Sequence, residues 1–307
     1  MPRMTRVLFA SLLATLAVAA APSAASADLL GLNPVTDWST LFPSLSPQYN
    51  PNDPNICNSG KPQCIDAVVR EMNKRFTPLA ASCSHNALFS LLYMDVSKQV
   101  AIADRTSGYY NDPGFISHED AVFASYYFNA FDAYAKGDAL HTPGAWQIAF
   151  DAAKGHQVTG LGNLLLGMNA HINRDLPFVL YSIGLVAPDG SSRKPDHDKV
   201  NQTLYDAYDP AIAEGARRFD SSLSASSGPN AKDSGIQSVI AWREEAWRNA
   251  ERLAWASSDA ERAAISQQIE AAANLEAQLL ATTYSYTVQG GSTTDRDAYC
   301  AVHHNDA

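Results

Sequence analysis

Between residues 61 and 283 the apolar side chains of this sequence recur every three or four positions, and nowhere do they alternate long enough to build a sheet. A chain with that period must bury helical stripes against one another, so the expected fold is all-α: a single multi-helix, bundle-like domain. The spacing predicts a short helix over 61–76 and a second, opened by Thr77-Pro78, over 79–103. After the Asn111-Asp112-Pro113-Gly114 turn, Ser117 followed by Asp120 resembles a capping box, and Gly137 is a natural stop. Thr142-Pro143 opens a helix through Lys154, and a long central helix runs from 157 to about 186. Pro195 opens one to 208, Asp209-Pro210 another to about 224, and 236–257 and 259–283 complete the domain. The tail, 284–307, reads as irregular apart from any short extended piece at 284–288.

The ends and the cysteines bear on location. Arg3 and Arg6, an apolar run over 7–20 and Ala25-Ser26-Ala27 make residues 1–27 a signal peptide, with Asp28 rather than Cys after the cut. The expectation is an exported protein, secreted or periplasmic, whose residues 28–60 form an irregular N-terminal arm anchored by Trp38, Leu41 and Phe42. No later apolar run reaches the roughly 18 uninterrupted residues of a membrane span. The net charge is −10, and −12 without the two arginines of the leader, which argues against a nucleic-acid partner. Four cysteines in an exported chain read as two disulfides. Cys57–Cys64 would close a small loop around Gly60-Lys61-Pro62, leaving Cys83–Cys300 to tie down the tail.

The chemistry concentrates in "GMNAHINRDLPFVL", residues 167–180, where a helix apolar on all sides carries Asn169, His171, Asn173, Arg174 and Asp175. Each such group buried without a partner costs on the order of 1–3 kcal/mol, so partners must exist. His171 and Asp175, four apart, share one face and can reach one cation, or Asp175 can simply orient His171. In "GIQSVIAWREEAWRNAERLAW", Arg243 and Trp247 share a face that could present Arg243 to Asp175 or a carboxylate to Arg174. "PDHDKVN" places His197, Asp198 and Asn201 at a helix start, where Asp196 can serve as a cap. His118 and Asp120 lie in the first turn of the helix predicted to start at Ser117, and His85 follows Cys83; His141 and His156 border turns and read as exposed, and His303 and His304 as disordered tail. There is no G-x-S-x-G, H-E-x-x-H, P-loop or dinucleotide fingerprint.

The segments around "GMNAHINRDLP", with "DHDKVN" and "WREEAWRNAERL", resemble a bacterial family of helical proteins of unknown function over roughly residues 79–256. A second resemblance is to the L-G-x3-H-x3-D helix of zinc-dependent phospholipase C and single-strand nucleases, matched by Leu166-Gly167, His171, Asp175 and Pro177. It implies His171 and Asp175 as ligands of a divalent metal, with zinc first in line. Phe178-Val179 stand where those enzymes carry a further His, and the later His-x3-Glu pair is missing, so the implied site is reduced to one or two ions that add His118, Asp120 or His85.

The leading expectation is thus a metal-dependent hydrolase acting on an ester or phosphoester. His171, Asp175, Asp120 and His118 are its candidate ligands, with Arg174 and Arg243 as catalytic groups holding an anionic substrate. Asn169, Asn173, Trp247, Asp198 and Asn201 are candidate binding residues. One alternative is a module whose polar-lined pocket binds a small molecule or lipid. Another is a structural protein with a buried polar network.

Overall fold

The computed structural model describes residues 45–306, and they fold into packed helices. Helix α1 (Gln63–Ala81) packs on α2 (Ala87–Asp104), and α3 (Pro113–Ala135) and α4 (Gly144–Lys154) follow. The central rod is α5 (Gly160–Met168), a π-helical turn (Asn169–Asp175) and α6 (Leu176–Ile183). Then come α7 (Lys194–Arg218), a 3-10 turn (Ser221–Ser226), α8 (Pro229–Trp255), α9 (Asp259–Thr283), the short α10 (Tyr286–Gln289) and α11 (Thr293–His303). Among the described residues no strand forms; two isolated bridges join Val158 to Ser285 and Val186 to Ser192. No described helix is long and apolar enough to cross a membrane.

Pro78 and Pro210 do not open helices; they lie inside α1 and α7. An interior proline loses one helical hydrogen bond and clashes with the preceding turn, at about 3 kcal/mol. Burial of Phe76 and Ala80 around the first, and of Ala207, Ala211 and Ile212 around the second, keeps both helices continuous. The long helix predicted to begin near 157 starts at Gly160, where Thr159 Oγ1 accepts from the Gly162 N–H. The tail is not irregular: α11 forms there, and the Cys83–Cys300 disulfide pins it to the α1–α2 connection. His303 closes that helix and His304 caps it, so neither belongs to a disordered end. The second disulfide, Cys57–Cys64, also forms as expected.

Helix α3 starts four residues earlier than its capping-box signal. Asp112 caps it by accepting from the Phe115 N–H at 3.0 Å, with Pro113 in the first turn. Ser117, His118, Glu119 and Asp120 therefore sit one turn inside a helix and are all buried. Asp196 is likewise no cap: it lies inside α7 and accepts from the Asn111 and Asp112 backbone N–H groups, each at 2.8 Å, holding the α2–α3 loop. Of the N-terminal arm, only residues 45–60 fall within the described region; the leader, Trp38, Leu41 and Phe42 lie outside it. The arm docks on α3, where the His118 ring nitrogens meet the carbonyls of Cys57 (2.9 Å) and Pro47 (3.0 Å). Apolar faces from all sides converge on one core, and the rod runs through it in contact with α3, α4, α8 and α9.

Candidate functional site

The π-helical turn coincides with the polar stretch Asn169–Asp175. π-turns inside α-helices are rare and recur at functional sites. Here the widened turn places His171 Nδ1 3.1 Å from Asp175 Oδ2. Asp175 is fully buried, and both its oxygens are engaged. Trp146 Nε1 donates to Oδ2 at 2.8 Å, and Arg174 Nη1 to Oδ1 at 2.9 Å. Arg174, itself 1% exposed, donates its Nε to Glu270 Oε1 of α9 at 2.6 Å. A buried carboxylate is tolerable only when paired and hydrogen-bonded in this way.

Asp175 also decides the chemistry of His171. Burial pushes the imidazole below its ordinary value, so it is neutral. Its single proton is then assigned to Nδ1, facing the carboxylate, which leaves Nε2 as a bare lone pair. Nε2 has no partner among the described residues. The ring stacks on Phe123 at 3.5 Å and meets the edge of Tyr93 at 4.4 Å.

His171 is part of the wall of a cavity of about 150 Å³ enclosed by α2, α3, α5, α7 and α8. That is room for roughly ten waters. Leu92, Val96, Leu165, Met168, Leu204 and Val239 exemplify its aliphatic wall; the polar side chains on it are Tyr93, Glu119, Asp120, His171, Tyr208 and Arg243. Four buried polar atoms of these residues have no partner among the described residues: Tyr93 Oη, Glu119 Oε2, Asp120 Oδ2 and His171 Nε2. Burial, reinforced by the nearby Glu119 and Asp104 carboxylates, pushes Asp120 up to about 7, although Ser97 Oγ donates to its Oδ1. Buried polar atoms are nearly always satisfied, so four orphans on residues that line one apolar cavity make it the candidate site.

Of the eleven residues singled out from the sequence, the cavity gathers His171, Asp120 and Arg243. The others serve its frame. Asn169 donates to the Ala273 carbonyl and accepts from Asn173, fastening the rod to α9. Trp247 donates to Glu251, and Asn201 accepts from Arg243. Asp198 makes an exposed ion pair with Lys194. The carboxylate reaching Arg174 comes from α9, and Arg243 does not meet Asp175, contrary to the pairing expected for α8. Glu119, Tyr93 and the aliphatic wall were not anticipated; the only signal for Glu119 was its place in "SHED".

The four candidate metal ligands do not assemble. Both oxygens of Asp175 and both nitrogens of His118 are occupied, and the four do not come within reach of one ion. Among the described residues the one grouping of three donors is His85, His156 and Asp297 at the tail. There Arg296 Nη1 donates to His85 Nδ1 at 3.1 Å, which puts the proton on Nε2, facing Asp297 Oδ1 at 2.8 Å. A cation there would need that lone pair and would sit beside a guanidinium. The trio is a hydrogen-bonded latch for α11.

No curated protein and no solved structure matches this sequence. The family model described as "Family of unknown function (DUF5995)" matches residues 65–283, from α1 to the end of α9, and so takes in the whole rod and every wall of the cavity. The chain belongs to that family.

Proposed function

We propose that this protein binds an apolar small molecule or lipid-like compound inside the central cavity. The observation that carries the reading is the cavity's make-up: aliphatic and aromatic walls interrupted by His171, Asp120 and Glu119, each of which keeps a buried polar atom without a partner among the described residues. An apolar pocket with a few convergent polar groups is what small-ligand sites have in common. Export to an oxidising compartment suits the two disulfides and the leader. The test is titration with N-phenyl-1-naphthylamine, a neutral apolar dye whose fluorescence rises on burial. Wild type should bind it at micromolar concentration. Val239→Phe, which fills the wall, should weaken binding at least about tenfold, equivalent to ~1.4 kcal/mol, while the protein stays folded. No dye binding, or binding indifferent to Val239→Phe, rejects the cavity as the site.

The His171–Asp175 pair favours a second reading, hydrolysis of an ester held in the same cavity. A carboxylate fixed by Trp146 and Arg174 orients an imidazole that lines the cavity and whose Nε2 has no partner among the described residues, an arrangement that suits a general base. His171 would take a proton from water as its oxygen attacks the ester carbonyl, then return it to the departing alcohol. A divalent ion could enter this site only at Nε2, since the Asp175 oxygens are taken. Purified protein should release p-nitrophenol from p-nitrophenyl butyrate, and His171→Gln should slow release by 10²-fold or more at unchanged dye affinity. Equal rates for the two proteins would leave binding alone.

A further inference from the structure

We infer that the ligand of this cavity carries a neutral head group that both accepts and donates a hydrogen bond, a hydroxyl, held between Arg243 and Glu119; this rests on the ligand-binding reading above. Arg243 is 5% exposed and lines the cavity. Its Nε donates to Asn201 Oδ1 at 2.8 Å and its Nη2 to the His197 carbonyl at 2.6 Å. Its remaining nitrogen, Nη1, has no hydrogen-bond partner among the described residues, and no carboxylate there lies within 4.0 Å of the guanidinium. Glu119 mirrors it. One oxygen lies 3.6 Å from His197 Nδ1, and the other, Oε2, is buried without a partner. The same His197 nitrogen is 3.3 Å from Arg243 Nη2, so a donor and an acceptor of opposite charge flank one ring atom, and both residues line the cavity.

A complementary head must satisfy both. A carboxylate accepts from Arg243 but sets a further negative charge beside Glu119 and Asp120. An ammonium donates to Glu119 but meets the guanidinium. An ether accepts and leaves Glu119 bare. A hydroxyl takes the Arg243 N–H on its oxygen and gives its own proton to the Glu119 carboxylate. Burial of the remainder asks for an apolar body, so the class is an aliphatic or terpenoid-like alcohol.

Displacement of bound N-phenyl-1-naphthylamine at pH 8 by 1-octanol, octyl methyl ether and octanoate tests this. Octanol should compete at least tenfold better than either of the others. Glu119→Gln should strengthen octanoate by tenfold or more, and Arg243→Met should bring octanol down to the level of the ether. If octanoate matches or beats octanol on wild type, the pole is an anion receptor and the inference is wrong. It is equally wrong if all three compete alike, or if none displaces a dye that does bind. Should the dye itself fail to bind, the ligand-binding reading has failed instead. Glu119→Gln keeps the test open if Arg243→Met unfolds.

Discussion

Arg174→Ala should lower the unfolding free energy by about 3–5 kcal/mol, a large share of the 5–15 typical of a domain. The guanidinium is buried between Asp175 and Glu270 and lies 5.1 Å over the Phe178 ring. Removing it strands the fully buried Asp175 carboxylate with only Trp146 and His171 as partners. It also leaves Glu270 facing an empty space in the wall of α9. The penalty comes from the uncompensated charge and not from the absence of an ion pair as such. The double variant Arg174→Met with Asp175→Asn should therefore recover most of the loss, since apolar and neutral replacements of a buried pair are often close to neutral. Urea denaturation of the two singles and the double settles it. If the double is as unstable as the sum of the singles, Arg174 acts through packing alone.

That network shows which parts of the molecule can be read from sequence. His171 and Asp175 could be paired from their spacing because helical geometry links residues four apart. The partners that fix Asp175 could not: Trp146 lies 29 residues away and Glu270 is 96 from Arg174, and no local pattern connects them. The same pattern of a capping-type residue before a proline marked a true boundary at Thr142-Pro143 but misled at Thr77-Pro78 and Asp209-Pro210, where packing outweighs a local preference. The costliest error was a shift of four residues at the start of α3. Placed at the first turn, His118 and Asp120 look like capping and surface groups. Placed one turn inside, Asp120 and Glu119 lie on the cavity wall and His118 clasps the arm. The cavity itself was invisible in the sequence, because an aliphatic residue facing a void has the same periodicity as one facing a neighbour.

Asp120→Asn should stabilise the protein, and increasingly so as the pH rises. The folded carboxyl, raised to about 7, is still protonated where its unfolded counterpart, near the ordinary carboxylate value of about 3.9, has already ionised. In that interval the native state binds more protons, so stability falls with rising pH until the folded pKa is passed, and the deficit then stays constant. About three units correspond to ~4 kcal/mol at pH 8, against ~1.5 kcal/mol at pH 5. Asparagine keeps the shape and the Ser97 contact but cannot ionise, so its advantage over wild type should grow by roughly 2–3 kcal/mol between those two pH values. The buried histidines, which burial pushes down and which destabilise the fold in acid, are common to both proteins and cancel in the difference. Urea unfolding of both proteins at pH 5 and pH 8 measures it, and a difference independent of pH would show that Asp120 does not titrate in this range. A side chain whose replacement strengthens the fold is retained for something other than folding. Asp120 lines the cavity beside Glu119 and keeps one buried oxygen without a partner among the described residues, so loss of dye binding in the stabilised variant would join that strain to ligand recognition.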